Sequence, residues 1–553
     1  MILQSRSLVK SLIVSTVEAC ISLLRFVAVQ RKKSKAEQSD PLGELKSSVV
    51  ATLQQSLAQG HTCLSLDKII HFLCSRHQGI TEAIAITAID QLCQDAAACC
   101  RNGAISLPEV ARAEEAIAFR LKSIGKRLRR IDPQRIAKLV DIENSQLNDE
   151  QRAAINRLIS SRIAILTGDP GTGKTVTIKS LAEVLEREGY VVFLAAPTGR
   201  AAARLTEATG RQAQTLHRLL HNHERRRPLR ELLIPRLKEA VIVDEASMID
   251  LFLAERLFEF CTLRTKLILV GDVHQLPPVG PGQVFRDLLE SGQVQIIELT
   301  KSLRQSDQSA VTLAARQIKS GTVPEMIAPG QSKSDCYFID AGSIFDIQRL
   351  VVNAAAQSLP KKCGADLHQD IQVLTPMRKG ALGTIRLNEL IRTALNREAS
   401  KTDVATPSSG LEFQPNDRVL QIRNNYDIGV FNGECGIVEE VEGETITVRF
   451  GDRCVAYDQN SLADLTHGYA ITVHRSQGSE YPFVIIPIHE TQSIMLTREL
   501  LYTAITRGKR MIILVGSRSA FSQAVTSTRS HRLTGLKDLL APPVMIATAK
   551  KSA

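Results

Sequence analysis

Short apolar runs alternate with amphipathic stretches over residues 147–299. The runs read RIAIL, VVFLAA, AVIVDE, KLILVGD and VQIIEL, and each has the length of one strand. Continuous apolar runs are typical of parallel strands that are buried on both faces, and the helical stretches between them are typical of crossover connections. The pattern therefore predicts an α/β domain built on a doubly wound parallel sheet.

A second set of apolar runs lies further along the chain. It begins with IQVLTP at Ile371 and resumes with FVIIPI at Phe483 and RMIILVGS at Arg510, which predicts a second α/β domain in tandem. Within this set, a polar connector at 401–410 precedes two segments that alternate around a Glu-Gly-Glu turn. Such alternation indicates antiparallel strands, so we expect a small inserted β-barrel that ends near Leu462.

The residues before the first α/β domain have helical periodicity. Apolar residues recur at spacings of three and four over 65–124, which predicts a module of a few packed helices. The segment 8–29 is also apolar, but Lys10, Glu18 and Arg25 interrupt it. Because charges at these positions oppose both a membrane span and a secretory signal, we expect an amphipathic packing helix there.

Composition adds a basic bias to this picture. The 553 residues include 69 Lys and Arg against 58 Asp and Glu, a formal net charge of +11. This balance favours polyanionic partners such as nucleic acid, although many basic proteins bind none. The 11 cysteines include no C-x-x-C pair, so we expect reduced thiols in a cytoplasmic protein and no zinc or iron–sulfur site.

The length allows about three or four domains. We predict seven segments in chain order: an N-terminal helix and linker at 1–43, a helical module at 44–140, the first α/β domain at 141–300, the first part of the second α/β domain at 301–404, the inserted barrel at 405–464, the remainder of the second α/β domain at 465–540, and a tail at 541–553.

The most specific motif lies directly after the strand RIAIL. It reads Gly168-Asp169-Pro170-Gly171-Thr172-Gly173-Lys174-Thr175, and a helical stretch follows it. This is the G-x-x-x-x-G-K-[ST] phosphate loop in the expected strand-to-helix context. Its backbone N–H groups would surround phosphates at a helix N-terminus, while Lys174 would reach the β and γ phosphates and Thr175 would bind Mg²⁺. The motif predicts an ATP site.

An acidic pair follows a later strand of the same domain. Asp244 and Glu245 come directly after the run AVIV. Phosphoryl transfer needs a carboxylate for Mg²⁺ and a base that orients water, so we expect Asp244 to hold the metal and Glu245 to act as the base. Asp-Glu at a strand end is also ordinary surface chemistry, and the pair gains its meaning from the phosphate loop upstream.

Eight segments together resemble the motifs of superfamily 1 helicases, and the resemblance is closest to the RecD-like branch over residues 60–517. The segments are LNDEQ (147–151), APTGRAA (196–202), TLHRLL (215–220), VDEASM (243–248), GDVHQLPPVGPG (271–282), LRQ (303–305), TVHRSQGSE (472–480) and YTAITRGK (502–509). The resemblance implies two tandem RecA-like motor domains, ATP and Mg²⁺ as ligands, and 5′→3′ DNA helicase activity. It also implies that the barrel forms a wall of the DNA channel.

The resemblance assigns roles to single residues. It implies that Gln151 reads adenine, that Gln275 senses the γ-phosphate, and that Glu480 binds ribose. Arg304 and Arg507 would be the two arginine fingers. The strand-binding face would consist of Pro197, Thr198, Thr215, His217, Thr472 and His474. The alternative for His217 and His474 is a structural histidine, and for Arg304 an ordinary surface ion pair.

Two departures from the family leave part of the function open. Residues before about position 50 do not resemble the longer N-terminal regions of many relatives. The segment 221–235, which would have to split the duplex, is short, and its arginines are also consistent with a solvated surface. We therefore expect an ATP-dependent 5′→3′ DNA helicase or translocase of repair or recombination, acting on single strands and duplex junctions, with other repair proteins as partners and no membrane association. The alternatives are a motor subunit of a recombination exonuclease complex, an ATP-dependent clamp, and an RNA track.

Overall fold

The structure is a computed structural model that describes residues 41–77, 79–125, 147–222, 238–301, 309–395, 411–425, 428–528 and 531–541. The chain divides into two compact units. The smaller consists of Met1–Gln55 and Leu64–Pro108, and the larger of Ser56–Cys63 and Glu109–Ala553. The predicted apolar segment 8–29, Arg304 and most of the predicted duplex-splitting segment 221–235 lie outside the described residues.

The smaller unit combines helices with a small sheet. Its helices are α1 (Pro41–Ala58, which continues into the larger unit), α2 (Leu66–Arg76) and α3 (Glu82–Gln94). Three short strands pair antiparallel in the order β1-β3-β2: β1 (Leu64–Ser65), β2 (Cys99–Arg101) and β3 (Ala104–Ser106). The helical expectation is confirmed. Helical periodicity did not indicate the sheet, because strands of two or three residues carry too few positions for alternation.

The first α/β domain is built on a parallel sheet of six strands in the order β6-β5-β7-β8-β4-β9. The strands are β4 (Ile163–Gly168), β5 (Tyr190–Ala196), β6 (Ala213–Thr215), β7 (Lys238–Val243), β8 (Lys266–Gly271) and β9 (Gln295–Leu299). The helices are α4 (Pro108–Gly125), which precedes the domain, and α5 (Asp149–Ser160), α6 (Lys174–Arg187), α7 (Gly199–Thr209), α8 (Leu251–Phe260) and α9 (Val284–Ser291). All six residues of β8 are buried, as expected for a strand covered on both faces.

The second α/β domain has a parallel sheet of five strands in the order β10-β19-β18-β11-β17. The strands are β10 (Cys336–Asp340), β11 (Ile371–Thr375), β17 (Ala470–Thr472), β18 (Tyr481–Ile488) and β19 (Gly508–Gly516). The helices are α10 (Ala310–Ser320), α11 (Ile344–Asn353), α12 (Leu359–Cys363), α13 (Thr384–Leu395), α14 (Arg498–Ile505) and α15 (Arg518–Thr526). The prediction of two tandem α/β domains is confirmed.

An antiparallel sheet is inserted between β11 and β17. Its order is β15-β14-β13-β12-β16, with β12 (Arg418–Gln421), β13 (Cys435–Glu442), β14 (Thr445–Phe450), β15 (Arg453–Tyr457) and β16 (Leu465–His467). The predicted Glu-Gly-Glu turn joins β13 to β14, and Gly443 there has a φ of 60°. The inserted strands are confirmed, while closure into a barrel stays a prediction.

The end of the described chain returns to the first α/β domain. Short helix α16 (Leu536–Leu540) follows Arg532, whose guanidinium donates to the carbonyls of Pro278, Gly280 and Gly282, each at 2.6 Å. The loop after β8 is therefore held by a residue that follows the second domain. Among the described residues, every helix is either too short or too polar to cross a bilayer.

Candidate nucleotide site and nucleic-acid interface

The predicted phosphate loop connects β4 to α6. Gly171 and Gly173 have φ values of 86° and 83°, a left-handed backbone that side chains disfavour. Residue 173 is the N-cap of α6, so the first N–H groups of that helix face the loop. The geometry is that of an anion cradle at a helix N-terminus.

Lys174 and Thr175 lie where the motif predicted them. The Lys174 ammonium donates to the carbonyls of Gly168 at 2.7 Å and Asp169 at 3.0 Å, so it lies over the loop. Thr172 supports the loop by donating its hydroxyl to the Asp169 carbonyl at 2.8 Å. The Thr175 hydroxyl is half-buried and has no hydrogen-bond partner among the described residues, so it can serve a metal ion.

The acidic pair lies at the carboxyl end of β7. Asp244 continues the sheet by donating its backbone N–H to the Ala195 carbonyl at 2.9 Å, and its carboxylate accepts from Glu245 N at 2.9 Å. Glu245 has a φ of 52°, which turns the chain sharply after the strand. Burial, together with the charge of Glu245, raises the pKa of Asp244 to about 6, although Lys174 lowers it. A nearby divalent cation would offset that cost.

A third polar cluster follows β8. Asp272 is buried and accepts from the side chain of Gln275 at 3.4 Å. The amide oxygen of Gln275 is buried without a partner in the described part of the chain. Such an oxygen is suited to accept a hydrogen bond from a water molecule. The fit of these residues to Mg·ATP therefore rests on the glycine cradle, the free Thr175 hydroxyl, the half-buried Asp244 and this unpartnered amide.

Contacts between the two α/β domains join the phosphate loop of the first domain to the second domain, across the cleft that lies between them. Lys319, in α10, forms an ion pair with the Asp169 carboxylate at 2.7 Å. The Tyr502 hydroxyl, in α14, lies 2.9 Å from the Asp272 carboxylate and 3.3 Å from that of Asp169. Burial and both carboxylates raise the pKa of Tyr502 well above its ordinary value, so the phenol remains a donor. Sequence analysis had singled out neither side chain.

Backbone contacts strengthen this junction. Leu276, next to Gln275, donates its N–H to the Thr503 hydroxyl at 2.9 Å. The Gln477 amide donates to the Leu276 carbonyl at 3.2 Å. The loop that carries Gln275 is thus bonded to two separate segments of the second domain.

Two residues predicted for the nucleotide, Gln151 and Glu480, have protein partners in the structure. Gln151 is fully buried, accepts from Asn148 N at 3.1 Å in a capping box and donates to the Thr172 carbonyl at 3.3 Å. Glu480 forms ion pairs with Arg204 at 2.6 Å and Lys509 at 3.4 Å. The contact between Gln151 and Thr172 places the glutamine beside the phosphate loop, while Glu480 faces α7 of the first domain.

The Arg507 guanidinium is bound within its own domain. It is 2% exposed and donates to the carbonyls of Thr503 at 3.1 Å and Ser479 at 3.2 Å. Its third hydrogen bond, at 3.4 Å, is to the Thr506 hydroxyl. An arginine finger would have to exchange these neutral acceptors for phosphate oxygens.

The predicted strand-binding residues of the first domain share one sheet edge. Ala196 is in register with Thr215, so Pro197 and Thr198 lie beside Thr215 at the carboxyl ends of β5 and β6. Thr198 and Thr215 each cap a following helix, accepting from Ala201 N at 3.2 Å and Arg218 N at 3.3 Å. His217 is in the helical turn after Thr215; desolvation, then the charge of Arg256, lowers its pKa, so it is neutral at neutral pH.

The second domain places its predicted residues at the corresponding edge. Thr472 ends β17, in register with Thr375 of β11, and caps the short helix that contains His474. Two exposed arginines that sequence analysis missed lie at this edge, Arg475 in the short helix and Arg378 after β11. Desolvation and the charge of Arg378 lower the pKa of Arg475, so the two like charges are close together. Their proximity makes this edge electropositive.

We predict that the double substitution Arg378→Ala and Arg475→Ala weakens single-stranded DNA binding about tenfold at low salt, because two phosphate contacts are lost. The slope of log affinity against log salt should fall by about 1.4, at about 0.7 per phosphate. Fluorescence anisotropy at several salt concentrations measures both quantities. The matched control is Lys361→Ala with Lys362→Ala on α12, and an effect of equal size there would contradict the assignment.

The inserted sheet contacts the strand-binding edge of the first domain. Arg200 donates to the Gly433 carbonyl at 3.2 Å. A Cβ on Gly199 would lie 2.6 Å from the Cβ of Phe431, so only glycine allows this approach. The segment before β13 is therefore packed on the start of α7, which is consistent with the expected channel wall.

The half-buried acid Asp244 leads to a prediction about stability. Its folded-state pKa is raised from 3.8 to about 6, so the ionised carboxylate destabilises the fold above about pH 6. We expect Asp244→Asn, in chelator, to raise the free energy of unfolding at pH 8 by on the order of 1 kcal/mol or more. The gain should shrink between pH 6 and pH 4 and vanish below, where both states carry the proton.

Thermal unfolding across that pH range measures this effect, with the exposed Asp452→Asn as control. The same Asp244→Asn protein should lose ATP turnover, because an amide is a poorer ligand for Mg²⁺. A variant less stable than the parent at pH 8 would contradict the burial argument.

Comparisons with known proteins agree with this arrangement. Residues 146–336 match the family model of an AAA domain, and residues 467–515 match that of the UvrD-like helicase C-terminal domain. Residues 387–450 match the SH3 domain of ATP-dependent RecD-like DNA helicases. The three matches follow the order of the first α/β domain, the inserted sheet and the end of the second α/β domain.

Two curated relatives extend the likeness along the chain. The ATP-dependent RecD2 DNA helicase of Deinococcus radiodurans is 36% identical over 459 residues, which are 80% of this chain and 59% of that protein. The RecBCD enzyme subunit RecD of Mycolicibacterium smegmatis is 30% identical over 434 residues, which are 71% of this chain and 75% of that protein. Among solved structures, a Bacteroides Pif1 helicase with ADP-AlF3 and single-stranded DNA covers 69% of this chain and 94% of its own, with 21% identity and a TM-score of 0.45.

Proposed function

This chain belongs to the RecD-like family of DNA helicases, and from that premise we propose that it hydrolyses Mg·ATP between its two motor domains to move 5′→3′ along single-stranded DNA. The motor domains are the two α/β domains described above. The chain spans only 59% of the Deinococcus relative, so its activity, substrate and partners are part of this proposal. We place its work in the cytoplasm, in DNA repair or recombination.

The observation that carries the proposal is the direct bonding of the phosphate loop to the second motor domain. Asp169 belongs to the loop, and both Lys319 and Tyr502 reach it from that domain. A change at the phosphates therefore acts on groups of both motor domains. Such an arrangement couples hydrolysis to movement of one domain relative to the other.

Each polar group of the cleft has a distinct role in the proposal. Lys174 binds the β and γ phosphates, and Thr175 with Asp244 would hold Mg²⁺. The bound metal supplies charge neutralisation at the phosphates. Glu245 takes a proton from the attacking water, and the free amide oxygen of Gln275 orients that water. Arg507 and Arg304 stabilise the charge that develops on the phosphoryl oxygens.

The strand-binding groups lie at the carboxyl edges of both sheets. Thr198 and Thr215 are on one sheet, and Thr472 with the adjacent Arg475 is on the other. Hydroxyl and guanidinium groups bind phosphates without reading sequence, as a translocating motor requires. A strand that bridges the two edges would be pulled when the cleft closes.

The direct test is unwinding of 5′-tailed and 3′-tailed DNA duplexes with Mg·ATP, with ATP turnover followed in parallel. We expect opening of the 5′-tailed duplex only, and turnover that single strands stimulate. Opening of the 3′-tailed duplex would contradict the polarity. Absence of stimulation by single strands would contradict the motor itself and favour a clamp.

A second candidate is a motor subunit of a recombination exonuclease complex. It is supported by the likeness to the mycobacterial RecBCD subunit, of which the chain covers 75%. Turnover stimulated by single strands without unwinding would favour this candidate, since the motor would then need a partner. Matched RNA strands in the same assay test the alternative track.

A further inference from the structure

A cavity of about 260 Å³ lies beside the loop that carries Gln275. Its walls come from that loop, from α9, α10 and α14, and from the end of the described chain. Polar and basic side chains line it, including His274, Arg286, Lys319, Arg498, Tyr502 and His531.

Two of the lining arginines, Arg286 and Arg498, have no carboxylate partner among the described residues. The Arg286 guanidinium donates to the Val273 carbonyl at 3.0 Å and lies 3.4 Å from the His531 ring. The Arg498 guanidinium donates to the Val525 carbonyl at 2.9 Å. Across the described ranges neither forms an ion pair, so both keep their full charge for an anion.

The charge of the lining is strongly unbalanced. Arg532 also lines the cavity and donates to the backbone carbonyls of Pro278 and Gly280. Glu499 is the one carboxylate among the described lining residues. A concave site with several cations and one anion attracts negatively charged ligands.

The cavity adjoins the phosphate end of the proposed ATP site. Lys319 lines it, and the same ammonium is 2.7 Å from the carboxylate of Asp169 in the phosphate loop. Tyr502 and Gln275 also line it, and the Tyr502 hydroxyl bonds to Asp272 and Asp169. One layer of side chains therefore separates the two spaces.

We propose that this cavity is a second phosphate-binding site, which receives inorganic phosphate after ATP hydrolysis and before its release. Hydrolysis of the β–γ anhydride by water yields ADP and inorganic phosphate, so this inference rests on the proposed function. A water molecule fills about 30 Å³, and the cavity has room for a tetrahedral dianion with several waters. Arg286 and Arg498 bind the anion, and Lys319 lies on its way from the phosphate loop.

The experiment measures binding of inorganic phosphate to the full chain saturated with Mg·ADP, by equilibrium dialysis with radiolabelled phosphate. We expect Arg286→Gln with Arg498→Gln to weaken phosphate binding about tenfold or more, because two charge-assisted donors are lost. Lys174→Ala should leave this affinity within about threefold, since Lys174 belongs to the other site. Arg386→Gln, an exposed arginine on α13, is the matched control.

Phosphate binding that persists unchanged in the double variant would overturn the proposal, as would its complete loss in Lys174→Ala. Displacement of phosphate by a short thymidine oligonucleotide would also overturn it, because the site would then serve DNA. Arg498→Lys keeps the charge and should retain most of the phosphate affinity, so it tests the site even if the double variant folds poorly. Thermal unfolding shows whether each variant is folded.

A kinetic arm distinguishes this inference from the proposed function. Hydrolysis by rapid quench and phosphate release by a fluorescent phosphate sensor are followed together on single-stranded DNA. We expect the ratio of the phosphate-release rate to the hydrolysis rate to change at least about threefold in the double variant. Equal ratios in variant and wild type would overturn the inference alone, whereas absence of DNA-stimulated hydrolysis in the wild type would overturn the proposed function.

Discussion

Replacing Lys174 with alanine is expected to lower ATP turnover at least about a hundredfold and to leave single-strand affinity within about threefold of the wild-type value. The ammonium of Lys174 lies over the phosphate loop, 2.7 Å from the Gly168 carbonyl. No other described group occupies the same place, because Lys319 contacts the loop through the Asp169 side chain. The transition state would lose the ammonium that the phosphate loop provides.

Strand binding should survive, since the strand-binding groups are carried by other elements. Thr198 and Thr215 are at the ends of β5 and β6, and Thr472 is in the second motor domain. Steady-state turnover and anisotropy on the same preparation measure both effects. Lys179→Ala, an exposed lysine on the same helix, is the control. Hydrolysis retained by the Lys174 variant would contradict the nucleotide site.

The phosphate loop could be predicted because its information is local. Its glycines adopt the backbone conformations that the loop needs, such as the φ of 83° at residue 173. The apolar strand and the amphipathic helix lie directly beside the loop in the sequence. The parallel sheets could be predicted for the same reason, since a strand buried on both faces is apolar at consecutive positions. The confirmed parts of the fold are those in which one short stretch determines its own structure.

Contacts between distant segments could not be predicted, because no local pattern in the sequence indicates which segments meet. Lys319 and Asp169 are 150 residues apart, and Tyr502 and Asp169 are 333 apart. A lysine in the helix ARQIKS is indistinguishable from a solvated surface residue until the second domain is placed against the first. Arg378 and Arg475 likewise come together only because β11 and β17 are neighbours.

The motifs did not reveal the geometry of their side chains. The sequence places Gln151, Glu480 and Arg507 in motifs, but a motif does not state which partner a side chain has. Gln151 caps its own helix, and Glu480 is paired with Arg204. Their roles toward the nucleotide stay predictions.

The short β1, β2 and β3 show the complementary case, in which long-range packing creates strands that periodicity cannot indicate.

Arg507 shows most clearly how motif and geometry differ. The motif implies a finger that reaches phosphate, and the structure has the guanidinium buried against the carbonyls of Thr503 and Ser479. The guanidinium is ionised, so its hydrogen bonds to the two carbonyls are already charge-assisted, and phosphate oxygens would add the attraction between opposite charges. An exchange of partners is therefore favourable once phosphate is near. Engagement of Arg507 would then follow closure of the cleft.

From this exchange we expect Arg507→Ala to lower DNA-stimulated ATP turnover about a thousandfold, with nucleotide affinity within about threefold of wild type. The charge on the phosphoryl oxygens is greatest in the transition state, so a finger contributes there more than in the bound ground state. Turnover assays and titration with a fluorescent ADP analogue measure the two quantities separately. Arg510→Ala, an exposed residue of β19, the strand that begins directly after Arg507, is the matched control.

Thermal unfolding separates a catalytic effect from a structural one. Loss of Arg507 leaves the carbonyls of Thr503 and Ser479 without this donor, which should cost about 1–3 kcal/mol of stability. Arg507→Lys restores a charge without the forked geometry, so it should recover stability more than turnover. Loss of nucleotide binding alone, with normal turnover at saturating ATP, would show that Arg507 is no finger. Equal recovery of turnover and stability by lysine would place its whole effect in the packing of the second motor domain.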